Sequence, residues 1–203
     1  DVIELACRYL KPGIIHIPTN AIAEKQIISK TKKIIYFLQN TYPSTRLTIK
    51  PSLDHIDRRH DDIRGVSGNF DKVMSLFDYL KLMKPEFSNL HVELGTVISR
   101  WNVKDIEKIA AFITKLDPES YRNEIAEQRS EMLNTKNEIT PNAEEYTLAI
   151  AFFVSQIKAN MKNKILFHRI TNSFRLEYYD AAIRILNQNR QVIPCYAGIS
   201  NAH

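Results

Sequence analysis

Residues 14–49, IIHIPTNAIAEKQIISKTKKIIYFLQNTYPSTRLTI, hold the unit on which the fold turns. The opening IIHI (14–17) is short and β-branched, and Pro12-Gly13 ahead of it is a helix-stop signal. Ile27, Ile28, Ile34, Ile35 and Leu38 then fall on one face at helical spacing. Tyr42-Pro43-Ser44 closes that helix, and Leu47-Thr48-Ile49 begins a second strand that runs into Pro51-Ser52-Leu53-Asp54. Strand, helix, strand in this order is a βαβ unit, which implies parallel strands joined by a right-handed crossover.

Working outward, the pattern repeats. Residues 55–68 are polar, carry Gly65 and Gly68, and read as a structured loop. Phe70, Val73, Met74, Phe77 and Leu80 form the next helical stripe, with Pro85 beyond its end. Residues 90–98 (LHVELGTVI) are a third strand, and Asn102 opens a helix carried by Ile106, Ile109, Ala110, Ile113 and Leu116. The class is therefore α/β with a parallel sheet. After Leu116 the pattern changes: Asp117-Pro118 is a cap and first-turn pair for a polar helix over 118–134. A further helix starts at Thr140-Pro141, with Tyr146, Ala149, Ile150, Phe153 and Ile157 inward. Residues 164–167 (KILF) read as a short strand or as the approach to a last helix built on Leu176, Tyr179, Ile183 and Leu186. The tail from Ile193 is extended.

Composition sets the limits. The chain has 203 residues, 44% apolar, 25% charged and 9% aromatic, which is the make-up of a soluble domain with one core and excludes disorder. No apolar run is long enough for a membrane helix, and no leader pattern occurs. Two cysteines, Cys7 and Cys195, exclude a disulfide scaffold, so a reducing cytoplasm is expected. The chain opens inside a helix without Met and stops on ISNAH, and it reads as a fragment. The net charge of +5 lies in residues 24–50, with six basic residues against Glu24, while the rest balances at 22 of each sign. No aromatic residues interleave with those lysines as a stacking platform would need, so this reads as a solvated helix face and not a nucleic-acid surface.

Ligands of parallel α/β folds sit at the carboxyl ends of the strands. Here those ends carry Pro18-Thr19-Asn20, then Ser52 and Asp54, then Thr96, Ser99 and Asn102. Their hydroxyls, amides and carboxylate are able to bond a ribose, an amino group or a carboxylate. Each also has a local use: Thr19 or Asn20 as a helix cap, Asn102 with Asp105 as an N-cap pair, Asp54 as a turn closer. Phosphate-binding glycine loops, the G-x-S-x-G elbow and H-E-x-x-H are all absent. His55 and His60 with Asp57, Asp61 and Asp62 form a conceivable metal cluster, but Arg58-Arg59 inside it points to a salt-bridged loop. His16 and His91 alternate with apolar neighbours and are expected to be buried and satisfied.

The succession IIHIPTNAI (14–22), TIKPSLDHIDRRHDDIRGVSGNFDKVM (48–74) and LHVELGTVISRWNVKDIEKIAAFI (90–113) resembles the core of radical S-adenosylmethionine enzymes over roughly residues 5–116. The resemblance lies in a strand ending in Thr-Asn, a strand ending in Ser-Leu-Asp, a His-Asp…Ile-Arg-Gly…Gly-x-Phe loop, and a strand ending in a hydroxyl-rich turn before Asn. PCYAG (194–198) resembles the start of the cysteine-bearing SPASM or twitch extension of that family.

The resemblance implies a partial (β/α) barrel of parallel strands, incomplete at the N-terminus, with a helical C-terminal part. It divides the chain into a barrel core (1–116), a helical remainder and connection (117–192) and the beginning of the extension (193–203). It places Thr19 and Ser52 against the methionine or ribose portion of S-adenosylmethionine, supported by Asn20 and Asp54, with Ser99 or Asn102 toward ribose or adenine. Arg64 is expected to fix its loop by pairing with Asp61 or Asp62, and Tyr121, Arg122 or Glu124 to face substrate unless their helix is merely solvated. Cys195 is implied as a ligand of an auxiliary iron–sulfur cluster, against the alternative of a free buried thiol. The implied chemistry is reductive cleavage of S-adenosylmethionine at a [4Fe–4S] cluster to a 5′-deoxyadenosyl radical that takes a hydrogen from a peptide or small metabolite. A flavodoxin or ferredoxin would deliver the electron, and no membrane partner is implied. The chain departs from the family in lacking C-x-x-x-C-x-x-C and the Gly-Gly-Glu-type segment, and Cys7 alone cannot replace three thiolates on one loop. The rival reading is a non-catalytic α/β binding or regulatory domain that has lost its cluster loop.

Overall fold

The computed structural model describes residues 2–128, 133–136, 138–161, 166–190 and 192–194. Among them β1 (Ile14–Thr19), β2 (Arg46–Pro51), β3 (Leu90–Ile98) and β4 (Ser120–Ile125) form one sheet in the order β1-β2-β3-β4. Parallel pairing sets Ile15 beside Leu47, Ile17 beside Ile49, and Ile49 beside Val92. The Glu119 N–H donates to the Val92 carbonyl and the Ala126 N–H to that of Ile98, so β4 advances in the same direction as β3. Each new strand is added on the same side of the last, so right-handed crossovers carry every connecting helix to one face. Packing divides the chain into two units, Asp1–Val97 with Lys108–Glu124, and Ile98–Glu107 with Ile125–His203. The composition had suggested a single core.

In the first unit the apolar side of the sheet buries Leu47, Ile49, Leu90, Val92 and Leu94. Helix α1 (Val2–Leu10) precedes β1 and buries Cys7. Helix α2 (Glu24–Thr41) turns Ile35 and Leu38 inward, and α4 (Asn69–Met83) turns in Val73, Leu76, Phe77 and Leu80. Helices α2 and α4 pack on each other, α4 packs on β2, and Phe70 of α4 meets Phe112 of α5 (Ile106–Leu116) at 6.1 Å between ring centroids. Each fully buried side chain of this kind contributes about 1.5–3 kcal/mol. Ile28 and Met74, both at the margins of their stripes, are only half-buried.

Two segments differ from their sequence reading. The polar stretch after Asp54 contains a short helix, α3 (Arg58–Arg64), ended by Gly65 in the left-handed region at φ 65° with its N–H on the Asp61 carbonyl. The helix expected over 118–134 is instead a strand, β4, from 120 to 125, and residues 129–132 lie outside the described residues. Asp117 at φ 52° breaks the helical path. Beyond it Arg122 and Glu124 find charged partners on β3 and β2, so tertiary pairing overrides local propensity.

In the second unit α6 (Ala143–Met161) and α7 (Leu166–Gln188) pack together around Tyr146, Ile150, Phe153 and Tyr179. Asn142 caps α6, its Oδ1 accepting the Glu145 N–H at 2.8 Å. Leu166 and Phe167 belong to α7, while residues 164 and 165 lie outside the described residues. Among the described residues no helix is long and apolar enough to cross a membrane.

Candidate functional site

A parallel sheet normally buries apolar side chains on both faces. In this one the period-two alternation puts hydrocarbon on the helix side and charge on the other. That second face carries His16 from β1, Thr48 and Lys50 from β2, His91 and Glu93 from β3, and Arg122 and Glu124 from β4. Glu93 accepts from Arg122 Nε at 2.9 Å and from Nη2 at 3.4 Å, and His16 Nε2 stands 3.4 Å from the same carboxylate. Lys50 Nζ donates to Glu124 Oε1 at 2.8 Å. To reach β4 the Lys50 stem crosses β3 above Gly95, where a Cβ would lie 3.1 Å from Lys50 Cδ. The Lys50 and Glu93 side chains are only 10% and 8% exposed, whereas Arg122 and Glu124 are 52% and 57% exposed. Each buried charge is therefore neutralised by a half-exposed partner, as burial of charge requires.

Nearer the amino ends of the strands, Glu119 receives the Val92 N–H at 2.7 Å, pairs with Lys84, and stands 3.4 Å from His91 Nδ1. Burial holds the His91 imidazole below its ordinary pKa. His16 and His91 are thus not the buried core histidines expected, since their side chains are 39% and 32% exposed and each faces a carboxylate.

At the carboxyl ends of β1 and β2 a buried network ties the chain together. Asp54 Oδ1 accepts the Val97 N–H at 2.8 Å, joining the segment after β2 to β3. Arg64 pairs with Asp54, Nε to Oδ2 at 2.6 Å, and not with Asp61 or Asp62 as the sequence suggested. Asp61 is otherwise engaged: its carboxylate accepts the Phe70 N–H at 2.7 Å and the Gly68 N–H at 2.6 Å at the start of α4. Those bonds, that from Phe70 foremost, hold it below the usual carboxylate range. Gly68, at φ 70°, supplies the left-handed turn that aims both N–H groups inward. His60 is fully buried, its Nδ1 accepting the Asp54 N–H at 3.1 Å and its Nε2 bonded to Asn69 Oδ1 at 3.0 Å. Asn69 in turn donates to the Asn20 carbonyl at 2.9 Å. Burial lowers the His60 pKa, consistent with a neutral ring using one nitrogen as acceptor and one as donor.

Four of the six candidate cofactor residues lie in the first unit. Thr19 and Ser52 are neighbours, the Ser52 N–H donating to the Thr19 carbonyl at 2.9 Å. Their side chains continue opposite sides: Thr19 pairs with Pro51 on the helix side, whereas Ser52 bridges to Gly95 and follows Lys50 on the charged side. The Thr19 hydroxyl accepts the Ala21 N–H at 3.2 Å, and Asn20 Oδ1 accepts that of Ile22 at 3.1 Å, so both shape the turn into α2. Ser99 and Asn102 lie in the second unit and bond each other, Asn102 Oδ1 accepting the Ser99 N–H at 2.7 Å. Asn102 precedes the 3₁₀ turn Val103–Asp105 but turns its side chain back to Ser99 and does not cap the turn. Cys195 lies outside the described residues. Among the described residues no group of three His, Cys, Asp or Glu is placed to hold a metal, and Cys7 is buried with its thiol pKa raised by that burial.

The charged face was only partly found from sequence. Arg122 and Glu124 were singled out on the wrong element, and Lys50 and Glu93 were missed. The available signal was their spacing two apart from other polar residues, Thr48-Lys50-Ser52 and His91-Glu93, within otherwise apolar strands. No family model, no curated protein and no solved structure matches this chain.

Proposed function

We propose that these residues are core elements of a radical S-adenosylmethionine enzyme, in the form of a partial (β/α) barrel whose charged sheet face borders the reaction chamber. The observation that carries the reading is the sheet itself: four parallel strands in sequential order, hydrocarbon and helices on one side, paired charges on the other. A barrel segment has this two-sidedness, and its ligands sit at the carboxyl ends of the strands. There Ser52 lies on the charged side, and Asp54 and Arg64 brace the turn behind it.

Cys7 and Cys195 are too few thiolates for a [4Fe–4S] cluster, and Cys7 is buried, so the residues of this chain do not fit that group. The part played by this chain is to bind and orient cofactor and substrate and to hold the strand ends in register. A cytoplasmic setting, a flavodoxin or ferredoxin as electron donor, and a peptide or small-metabolite substrate belong to the same reading, as does Cys195 as an auxiliary-cluster ligand.

A second reading, a non-catalytic α/β binding domain, draws support from Thr19, Asn20 and Asp54 all being engaged in hydrogen bonds within the fold. The two separate in one experiment. The full-length protein is purified without oxygen and assayed for iron, sulfide and 5′-deoxyadenosine formed from S-adenosylmethionine. A folded protein with no cluster ends the enzymatic reading and leaves the binding domain.

A further inference from the structure

Toward the carboxyl ends of the strands the charged face carries two ion pairs, each with a buried and an exposed member. Glu93 and Lys50 are the buried members; Arg122 and Glu124, two residues apart on β4, are the exposed ones. Glu93 grips Arg122 along the Nε–Nη2 edge alone. A guanidinium carries five N–H donors in a rigid fork. Nη1 of Arg122 has no partner among the described residues, so a second donor edge is held in place and half-exposed. That edge is shaped to take a carboxylate through two parallel hydrogen bonds. Glu124 uses Oε1 for Lys50, and Oε2 remains as an acceptor.

Residues two apart on one side of a strand stand about 6.6–7 Å apart at their Cα atoms, so Arg122 and Glu124 are neighbours on that side. A carboxylate and an ammonium carried on one carbon offer an opposite pair of charges to two such neighbours, each through a charge-assisted hydrogen bond. Charge points the same way. Lys50, Glu93, Arg122 and Glu124 balance one another, so a dipolar ligand meets both poles at the Arg122–Glu124 end. We propose that this face binds the zwitterionic head of a free α-amino acid, its carboxylate on Arg122 and its ammonium on Glu124. That the amino acid is the substrate rests on the enzymatic reading above; the geometry of the site does not.

The test is isothermal titration of the full-length protein with the common L-amino acids, their N-acetyl and carboxamide derivatives, and S-adenosylmethionine, whose methionyl head bears the same two groups. At least one free amino acid is expected to bind, with acetylation or amidation weakening it tenfold or more. Arg122→Lys, which keeps the charge but loses the fork, and Glu124→Gln are each expected to weaken it at least tenfold, with circular dichroism as the check on folding. Should Glu124→Gln disturb the buried Lys50 and unfold, the derivative series on the unaltered protein reads the same interaction. Failure of every free amino acid to bind, equal affinity for the acetylated form, or simple competition with S-adenosylmethionine would each overturn the proposal. Absence of a cluster and of 5′-deoxyadenosine would instead remove the enzymatic reading and leave the amino-acid binding result as measured.

Discussion

Asp54→Ala is the substitution that most directly probes the rim. The Asp54 carboxylate is buried, with Oδ1 on the Val97 N–H at 2.8 Å and Oδ2 on Arg64 Nε at 2.6 Å. Removing the carboxylate leaves a backbone N–H without its charged acceptor, a loss of about 1.5–3 kcal/mol. It also strands Arg64. Breaking a fully buried ion pair costs about 3–5 kcal/mol. Here the sum must be smaller: Arg64 is 26% exposed, and its Nε meets Asp54 as an ionic contact without good hydrogen-bond alignment. The total expected is about 3 kcal/mol. Asp54→Asn keeps an acceptor for Val97 and is expected to lose about half as much. The assay is urea unfolding followed by circular dichroism, read as a shift in midpoint at constant slope. Arg64→Met, alone and with Asp54→Ala, completes a double-mutant cycle, and a coupling of about 1 kcal/mol is expected. An Asp54→Ala protein within about 0.5 kcal/mol of the unaltered one would show that Asp54 does not join β2 to β3 in the way described, and a coupling near zero would show that Arg64 is not held by it.

Two further outcomes follow from groups already placed. His60 and His91 both have pKa values lowered by burial, so below about pH 6.5 the unfolded chain takes up protons that the folded chain resists. Stability should hold above neutrality and fall as pH drops from about 6.5, and a melting temperature constant or rising from pH 7 to pH 5 would contradict this. Asp61, lowered by its backbone hydrogen bonds, acts in the same sense, its contribution remaining above the unfolded carboxylate value and lost as pH falls through its lower folded value. Gly95→Ala places a methyl 3.1 Å from Lys50 Cδ, a contact the lysine stem must yield to by a few tenths of an ångström. A loss of about 1 kcal/mol in thermal unfolding is expected, and the same loss in a Lys50→Ala background, which has no stem, would show that the crossing stem is not the cause.

The parts of the fold that could be read from the chain are those in which one signal dominates. Ile35, Leu38, Val73, Phe77, Ile109 and Ile113 recur at helical spacing and all are buried. IIHI, LTI and LHVELGTVI stand between turn residues, and all three are strands in the expected parallel order. The failures have physical causes of the opposite kind. RRHDDIR is too short and too polar to show a stripe, yet it forms α3, because Asp61, Gly65 and Gly68 satisfy its end and the start of α4. Arg64 has acidic neighbours in sequence, but the carboxylate it meets is ten positions away, and nothing local favours Asp54 over Asp61.

The charged face fails for a more instructive reason. In SYRNEI (120–125) Arg122 and Glu124 alternate with Tyr121, Asn123 and Ile125, but Ser120, Arg122, Asn123 and Glu124 are polar against one aliphatic residue, Ile125, so the segment resembles a solvated helix as much as a strand. The assignment turns on partners from β2 and β3 that become neighbours only after the sheet forms. Lys50 and Glu93 were hidden by the converse effect: each sits among apolar residues, and a charge inside an apolar run is easily taken for a strand-end or edge residue. Their burial becomes intelligible once the four are seen together, because Lys50 needs Glu124 and Glu93 needs Arg122. A chain selected only for stability would more simply fill this face with valine and isoleucine, since well-packed apolar replacements of buried ion pairs are often neutral or stabilising. Two half-buried pairs with their exposed members side by side thus argue for a face that meets a polar ligand. Replacing Lys50 with Met together with Glu124→Gln should leave the sheet at least as stable to urea while removing the amino-acid affinity; a folded but clearly less stable protein that keeps its affinity would mean that these charges serve the sheet alone.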